Sequence, residues 1–128
     1  MTTNNLGIVY PELSYIIVGL AFEVHNELGQ FAREKQYADL LERKLVEIGI
    51  PYKREFRIGD SGNILDFLVG DVEKIIIELK TVRVVGREQF RQIQNYLQQT
   101  KYELGILINF SDKYLRPKRI LRIKMTPV

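Results

Sequence analysis

The chain is predicted to fold as one α/β domain over residues 1–128, a mixed β-sheet flanked by helices in the order ααβββαββ. Three observations lead there. A length of 128 residues suits one domain with one core. Apolar residues recur at helical spacing in two N-terminal segments and in one later segment. Between and after them lie short apolar runs bounded by turn residues, as strands are. A composition of 45% hydrophobic and 27% charged residues is ordinary for a globular protein.

The elements follow in chain order. Residues 11–28 read as a helix: Pro11 suits the first helical position and Glu12 the positive end of the dipole. Leu13, Ile16, Ile17, Leu20, Ala21, Val24 and Leu28 form its apolar face, and Gly29 breaks the pattern. A second helix is predicted over about 32–48, with Tyr37, Leu40, Leu41 and Leu45 inward. Gly49-Ile50-Pro51 stops it. Tyr52 to Ile58 alternates as a strand, and Asp60-Ser61-Gly62-Asn63 is a turn. Residues 64–69 and 74–80 form a hairpin about Gly70-Asp71. A third helix is predicted over 87–99, with Phe90, Ile93 and Leu97 as its stripe. Residues 103–109 form another strand, and Ile120, Leu121 and Ile123 suit a last one. The helix after residue 80 allows one parallel strand pair.

Several classes of function are excluded or disfavoured. The chain has no cysteine and one histidine, which rules out disulfides and thiolate metal sites and disfavours a His-rich zinc site. Carboxylates are the remaining metal ligands, and they favour magnesium, manganese or calcium. No apolar run is long enough to span a membrane. Met-Thr-Thr-Asn-Asn at the start lacks the basic and apolar regions of a signal peptide. A cytoplasmic location is the expectation.

The hairpin carries the chemistry. An apolar, β-branched run that should be buried contains Asp66, Glu78 and Lys80. Period-two geometry puts Glu78 and Lys80 on one face of their strand. If the turn sets Asp66 opposite Glu78, two carboxylates and an ammonium converge, which is costly unless a cation or substrate uses them. Asp66 and Glu78 are therefore candidate ligands for Mg2+ or Mn2+, with the Leu79 carbonyl as a further one. Lys80 would stabilise phosphate charge or position an attacking water. An exposed Glu-Lys pair with a turn aspartate is the plainer alternative. Gln92 and Tyr96 share a face of the third helix and would line a site at the sheet's edge; alone they read as a surface glutamine and a half-buried tyrosine. Glu34 and Tyr37 share a face of the second helix, where Glu34 is either a third acid or a dipole-stabilising carboxylate.

Net charge is +3, yet residues 113–128 hold Lys113, Arg116, Lys118, Arg119, Arg122 and Lys124 with no acid. A basic strip beside an acidic site suits a polyanion; a solvated basic strand is the alternative.

Asp66, Glu78-Leu79-Lys80 and Gln92-x-x-x-Tyr96 together resemble the PD-(D/E)XK nuclease superfamily, the last element as in its RecB-like exonuclease branch. Over nearly its whole length the chain resembles the small GxxExxY proteins of that superfamily. The matching stretches are Tyr10-Pro11-Glu12-Leu13-Ser14, Phe22 to Gly29, Glu34-Lys35-Gln36-Tyr37, Gly49-Ile50-Pro51, Asp66-Phe67, Ile77 to Lys80, Asn95-Tyr96-Leu97 and Gly105 to Phe110. The family glycine falls at Phe31, with Gly29 nearby, and Leu65 stands where the superfamily's proline precedes the aspartate. The resemblance implies a restriction-endonuclease-like core with the acids on a central hairpin. It implies metal binding by Asp66 and Glu78, catalysis by Lys80, Glu34 as the helical acid, and Gln92 and Tyr96 in support. His25 lies in a family stretch but reads as a satisfied helix histidine.

The function expected from these residues is Mg2+-dependent hydrolysis of phosphodiester bonds in nucleic acid, DNA before RNA. Arg83, Arg87, Lys113, Arg116, Lys118 and Arg119 would hold the phosphate backbone. The alternative is a non-catalytic module binding nucleic acid or a protein partner. Oligomeric state is open, a homodimer included.

Overall fold

The computed structural model describes residues 8–124. The first residues, read above for a leader, and the end of the basic segment beyond Lys124 lie outside them. Three helices surround one five-stranded sheet: α1 (Pro11–Leu28), α2 (Glu34–Ile48), β1 (Tyr52–Arg57), β2 (Ile64–Val69), β3 (Ile75–Lys80), α3 (Arg87–Thr100), β4 (Leu104–Asn109) and β5 (Lys118–Leu121). The order is the predicted one. Spatial order matches chain order, β1-β2-β3-β4-β5. Among the described residues only β3 and β4 run parallel, because α3 supplies the crossover between them. Among the described residues no helix is long and apolar enough to cross a membrane.

The sheet is covered on both faces. Ile75, Ile77 and Leu79 of β3 pack with Ile17, Leu20, Val24, Leu41 and Leu45 of α1 and α2. Ile76 points the other way and packs with Ile93, Tyr96 and Leu97 of α3. This two-sided cover explains why β3 and β4 read as nearly continuous apolar runs rather than alternating ones. The β2–β3 turn contains Gly70 at φ +115°, where a Cβ would overlap the Glu73 carbonyl oxygen.

Two expectations about helix faces are corrected. Phe90, in the first turn of α3, stays exposed, while Tyr96 is buried beside Ile93 and Leu97. Ile16, expected on the apolar face, is exposed while Ser14 is buried; Arg119 Nε donates to Ser14 Oγ at 3.0 Å, which satisfies the buried hydroxyl.

Tyr37 is fully buried and stacks on Phe110 with ring centroids 4.3 Å apart. Its hydroxyl donates to Gly29 O at 2.5 Å and accepts from Ala32 N–H at 3.1 Å. It thus ties down the α1–α2 loop and sets where α2 begins. Tyr37→Phe is expected to cost about 1 kcal/mol in denaturant unfolding, by freeing both loop groups.

Candidate active site

The β2–β3 ladder pairs Phe67 with Ile77, Leu68 with Ile76 and Val69 with Ile75. Carried one step further, this register sets Asp66 opposite Glu78, as the hairpin argument expected. There the side chains replace the ladder. Asp66 Oδ2 accepts the Leu79 N–H at 2.7 Å, and Glu78 Oε1 accepts the Asp66 N–H at 3.3 Å. Each acid is clamped to the other's strand.

The two acids differ in access. Asp66 is half-buried and lines an open cleft of about 280 Å3 with Glu34, Arg54, Glu55 and Leu79. Glu78 is 3% exposed and absent from that lining. Burial, then hydrogen bonding and charge repulsion from Asp66, push its carboxyl up to about 9, against the weaker pull of Lys80. The Glu34 carboxyl, at the first turn of α2, is also pushed up, by desolvation and then by the Asp66 charge, with Lys80 opposing. Asp66 and Lys80 therefore act on both glutamates, and the three acids and the lysine form one electrostatic unit.

The other side of the unit is α3. Tyr96 is buried; desolvation, then the charges of Glu78 and Asp66, raise its pKa, and a hydrogen bond from the Gln92 side chain offsets part of this. Gln92 and Tyr96 share the wall of a cleft of about 310 Å3 with Asn63, Glu88, Arg91 and Asn95. The predicted helix face is real. Tyr37, by contrast, lies in the core and is bonded to the loop before Glu34, not to the cleft.

The predicted cations separate. Arg83, Arg116 and Lys118 line one cavity. Arg87 is exposed at the start of α3, and Lys113 sits over the Tyr114 ring at 5.5 Å. Arg119 faces away from that cavity, bonded to Ser14 and to the Val9 carbonyl, because neighbouring residues of β5 point to opposite faces. His25 Nε2 meets the Asp112 carbonyl oxygen at 2.8 Å, the satisfied helix histidine expected.

Glu55 was missed in the sequence. It has φ +53°, unusual for a residue with a Cβ. The β1–β2 ladder pairs Arg54 with Phe67 and Phe56 with Leu65, and skips Glu55 and Asp66. Phe67 packs on the α1–α2 side, yet Leu65 and Phe56 pack on the α3 side. Both strands thus roll over at this step without losing register, which frees the Asp66 side chain to reach Leu79. No sequence signal marks this, since glutamate is not a positive-φ residue. Glu55→Gly is expected to raise stability by about 1 kcal/mol in thermal unfolding, since glycine keeps the roll without the strain.

The donor set is oxygen only: two touching carboxylates, a third at the cleft rim, and no thiol. That suits a hard divalent cation, which needs only one or two carboxylates when waters and substrate phosphate complete its shell. Among the described residues no three His, Cys, Asp or Glu side chains gather closely enough to cage a metal by themselves.

A family model described as PD-(D/E)XK nuclease superfamily matches residues 11–123. No curated protein matches. Among solved structures, one described as the crystal structure of SSO0001 is similar, with a TM-score of 0.48 and 19% identity over 83% of this chain. The chain spans 66% of that structure's length.

Proposed function

Because the chain belongs to the PD-(D/E)XK nuclease superfamily, we propose that it hydrolyses phosphodiester bonds of nucleic acid, with DNA the first substrate to try, in a Mg2+- or Mn2+-dependent reaction. One observation carries this reading: Asp66 of β2 and Glu78 of β3 are each bonded to the other's strand, and β3 also bears Lys80. A buried carboxylate pushed up by the acid beside it is a liability to a structural strand and an asset to a cation site.

In this reading Asp66 and Glu78 would hold the ion, with Glu34 and the Leu79 carbonyl as further oxygen donors. When bound, the ion would supply a Lewis acid and an acidified water. Lys80 would place its ammonium beside the reacting phosphate and offset the negative charge that develops there. Gln92 and Tyr96 would hold the Glu78 side of the site in place from α3. Arg83, Arg87, Arg116 and Lys118 would attract nucleic-acid phosphate without reading bases.

The test is cleavage of supercoiled plasmid and of end-labelled oligonucleotides, DNA and RNA, with Mg2+, Mn2+ or EDTA. Metal-dependent product is the expected result. Salt-dependent binding indifferent to metal, with no product from any substrate, would replace this reading with that of a binding module.

A further inference from the structure

The Asp66 cleft holds three acids against Lys35 and Arg54, so it is a poor seat for a phosphate unaided. The opposite balance occurs nearby. Arg83, Arg116 and Lys118 come from three separate segments: the stretch after β3, the β4–β5 connection and β5. They line a cavity of about 260 Å3 that is more enclosed than the Asp66 cleft. Its one acid is Asp112, and Asp112 Oδ1 already accepts from Asn109 Nδ2 at 3.1 Å.

The cavity is built on a rigid base. Asn109 is 3% exposed. Its side-chain oxygen accepts the Val82 N–H at 3.0 Å and its amide donates to Val82 O at 2.8 Å. This pair fastens the segment carrying Arg83 to the end of β4. Leu107 forms an apolar wall. Asn109 is the register partner of Lys80 on the neighbouring parallel strand, so the cavity opens about one strand spacing, roughly 5 Å, from the Lys80 position. Ligands of open α/β sheets commonly lie at the carboxyl ends of parallel strands, where this cavity is.

We propose that this cavity seats a terminal phosphate monoester of a nucleic-acid strand, so that the protein acts from strand ends. A backbone diester must enter and leave, and it suits an open groove. A terminal monoester can enter a half-open pocket end-on, offers three free oxygens and carries more charge. Three converging cations outside the acidic cleft match that chemistry. The inference deepens the nuclease reading and rests on it for the cutting step only.

The test is equilibrium binding in EDTA of otherwise identical oligonucleotides bearing a 5′-phosphate, a 3′-phosphate or hydroxyls at both ends, with an internal fluorophore. One phosphorylated end is expected to bind about 5- to 10-fold tighter than hydroxyl ends. The two phosphorylated arms identify which end. That gain should vanish in the surface double variant Arg116→Ala/Lys118→Ala, and should grow in Asp112→Asn, which keeps the oxygen facing Asn109 but removes the charge. Equal affinity for all ends, or a gain that survives the double substitution, overturns the proposal. Cleavage with no end preference would sink this inference alone. End-dependent binding with no metal-dependent product would sink the cutting step alone.

Discussion

Asp66→Asn and Lys80→Ala are each expected to lower metal-dependent cleavage by on the order of 100- to 1000-fold, with little change in the folded state. Asparagine is the informative replacement at position 66. Its side-chain oxygen still accepts the Leu79 N–H that Asp66 Oδ2 accepts at 2.7 Å, so the β2–β3 junction keeps its bond. Alanine there would leave a backbone N–H without its acceptor and confuse a catalytic defect with a structural one. Lys80 sits half-buried at the end of β3, where loss of the ammonium leaves the ladder to Asn109 untouched. If both residues serve one chemical step, the double variant should be scarcely worse than either single one, because groups acting as a unit are not additive. The measurement is the single-turnover rate of each variant beside its melting temperature. Activity that survives both substitutions, in proteins that melt normally, would end the assignment of the reaction to Asp66 and Lys80.

Much of this arrangement was legible in the sequence, and the reasons differ by element. Helix ends followed from local chemistry: Pro11 at the start of α1, and Gly49-Ile50-Pro51 after α2, act within one turn of the chain. The hairpin register followed from two short strands and a tight turn about Gly70, which leave few alternatives. Asp66 opposite Glu78 was readable for that reason. The difference in burial between the two acids was not readable. It goes with the roll at Glu55 and with α3 covering the Glu78 face of the sheet, and both depend on which strand and helix lie against the hairpin. The split among the cations was equally non-local. Lys118 and Arg119 are adjacent in sequence, and only the placement of β5 against β4, with α1 beyond, sends one to the cavity and the other to Ser14. Phe90 shares the helical face of Ile93 and Leu97, but it lies in the first turn of α3 and stays exposed there, which periodicity alone does not show.

Glu78→Gln is expected to make the metal-free protein more stable, by roughly 2–3 kcal/mol at pH 7. In the folded chain the Glu78 carboxyl is pushed up to about 9 by burial first and Asp66 second, whereas unfolded it titrates near the ordinary glutamate value of about 4.3. A group whose folded pKa is raised holds its proton more tightly in the folded state. Folding is therefore least penalised below the unfolded pKa, and stability falls as pH rises from there toward about 9. Glutamine cannot ionise, so it removes that slope. Its Oε1 can still accept the Asp66 N–H, as Glu78 Oε1 does at 3.3 Å. The two proteins should melt together near pH 4 and diverge through neutral pH, with the variant ahead. Divalent metal should reverse the order, since a cation bound by both carboxylates stabilises the folded state by mass action and the variant has given up one of them. The experiment is a set of thermal melts of both proteins from pH 4 to 9, in EDTA and in a titration of Mg2+ or Mn2+ reaching about 100-fold above half-saturation. A wild-type melting curve unmoved by metal at every pH would mean that the buried pair is a strained strand junction and not a cation site.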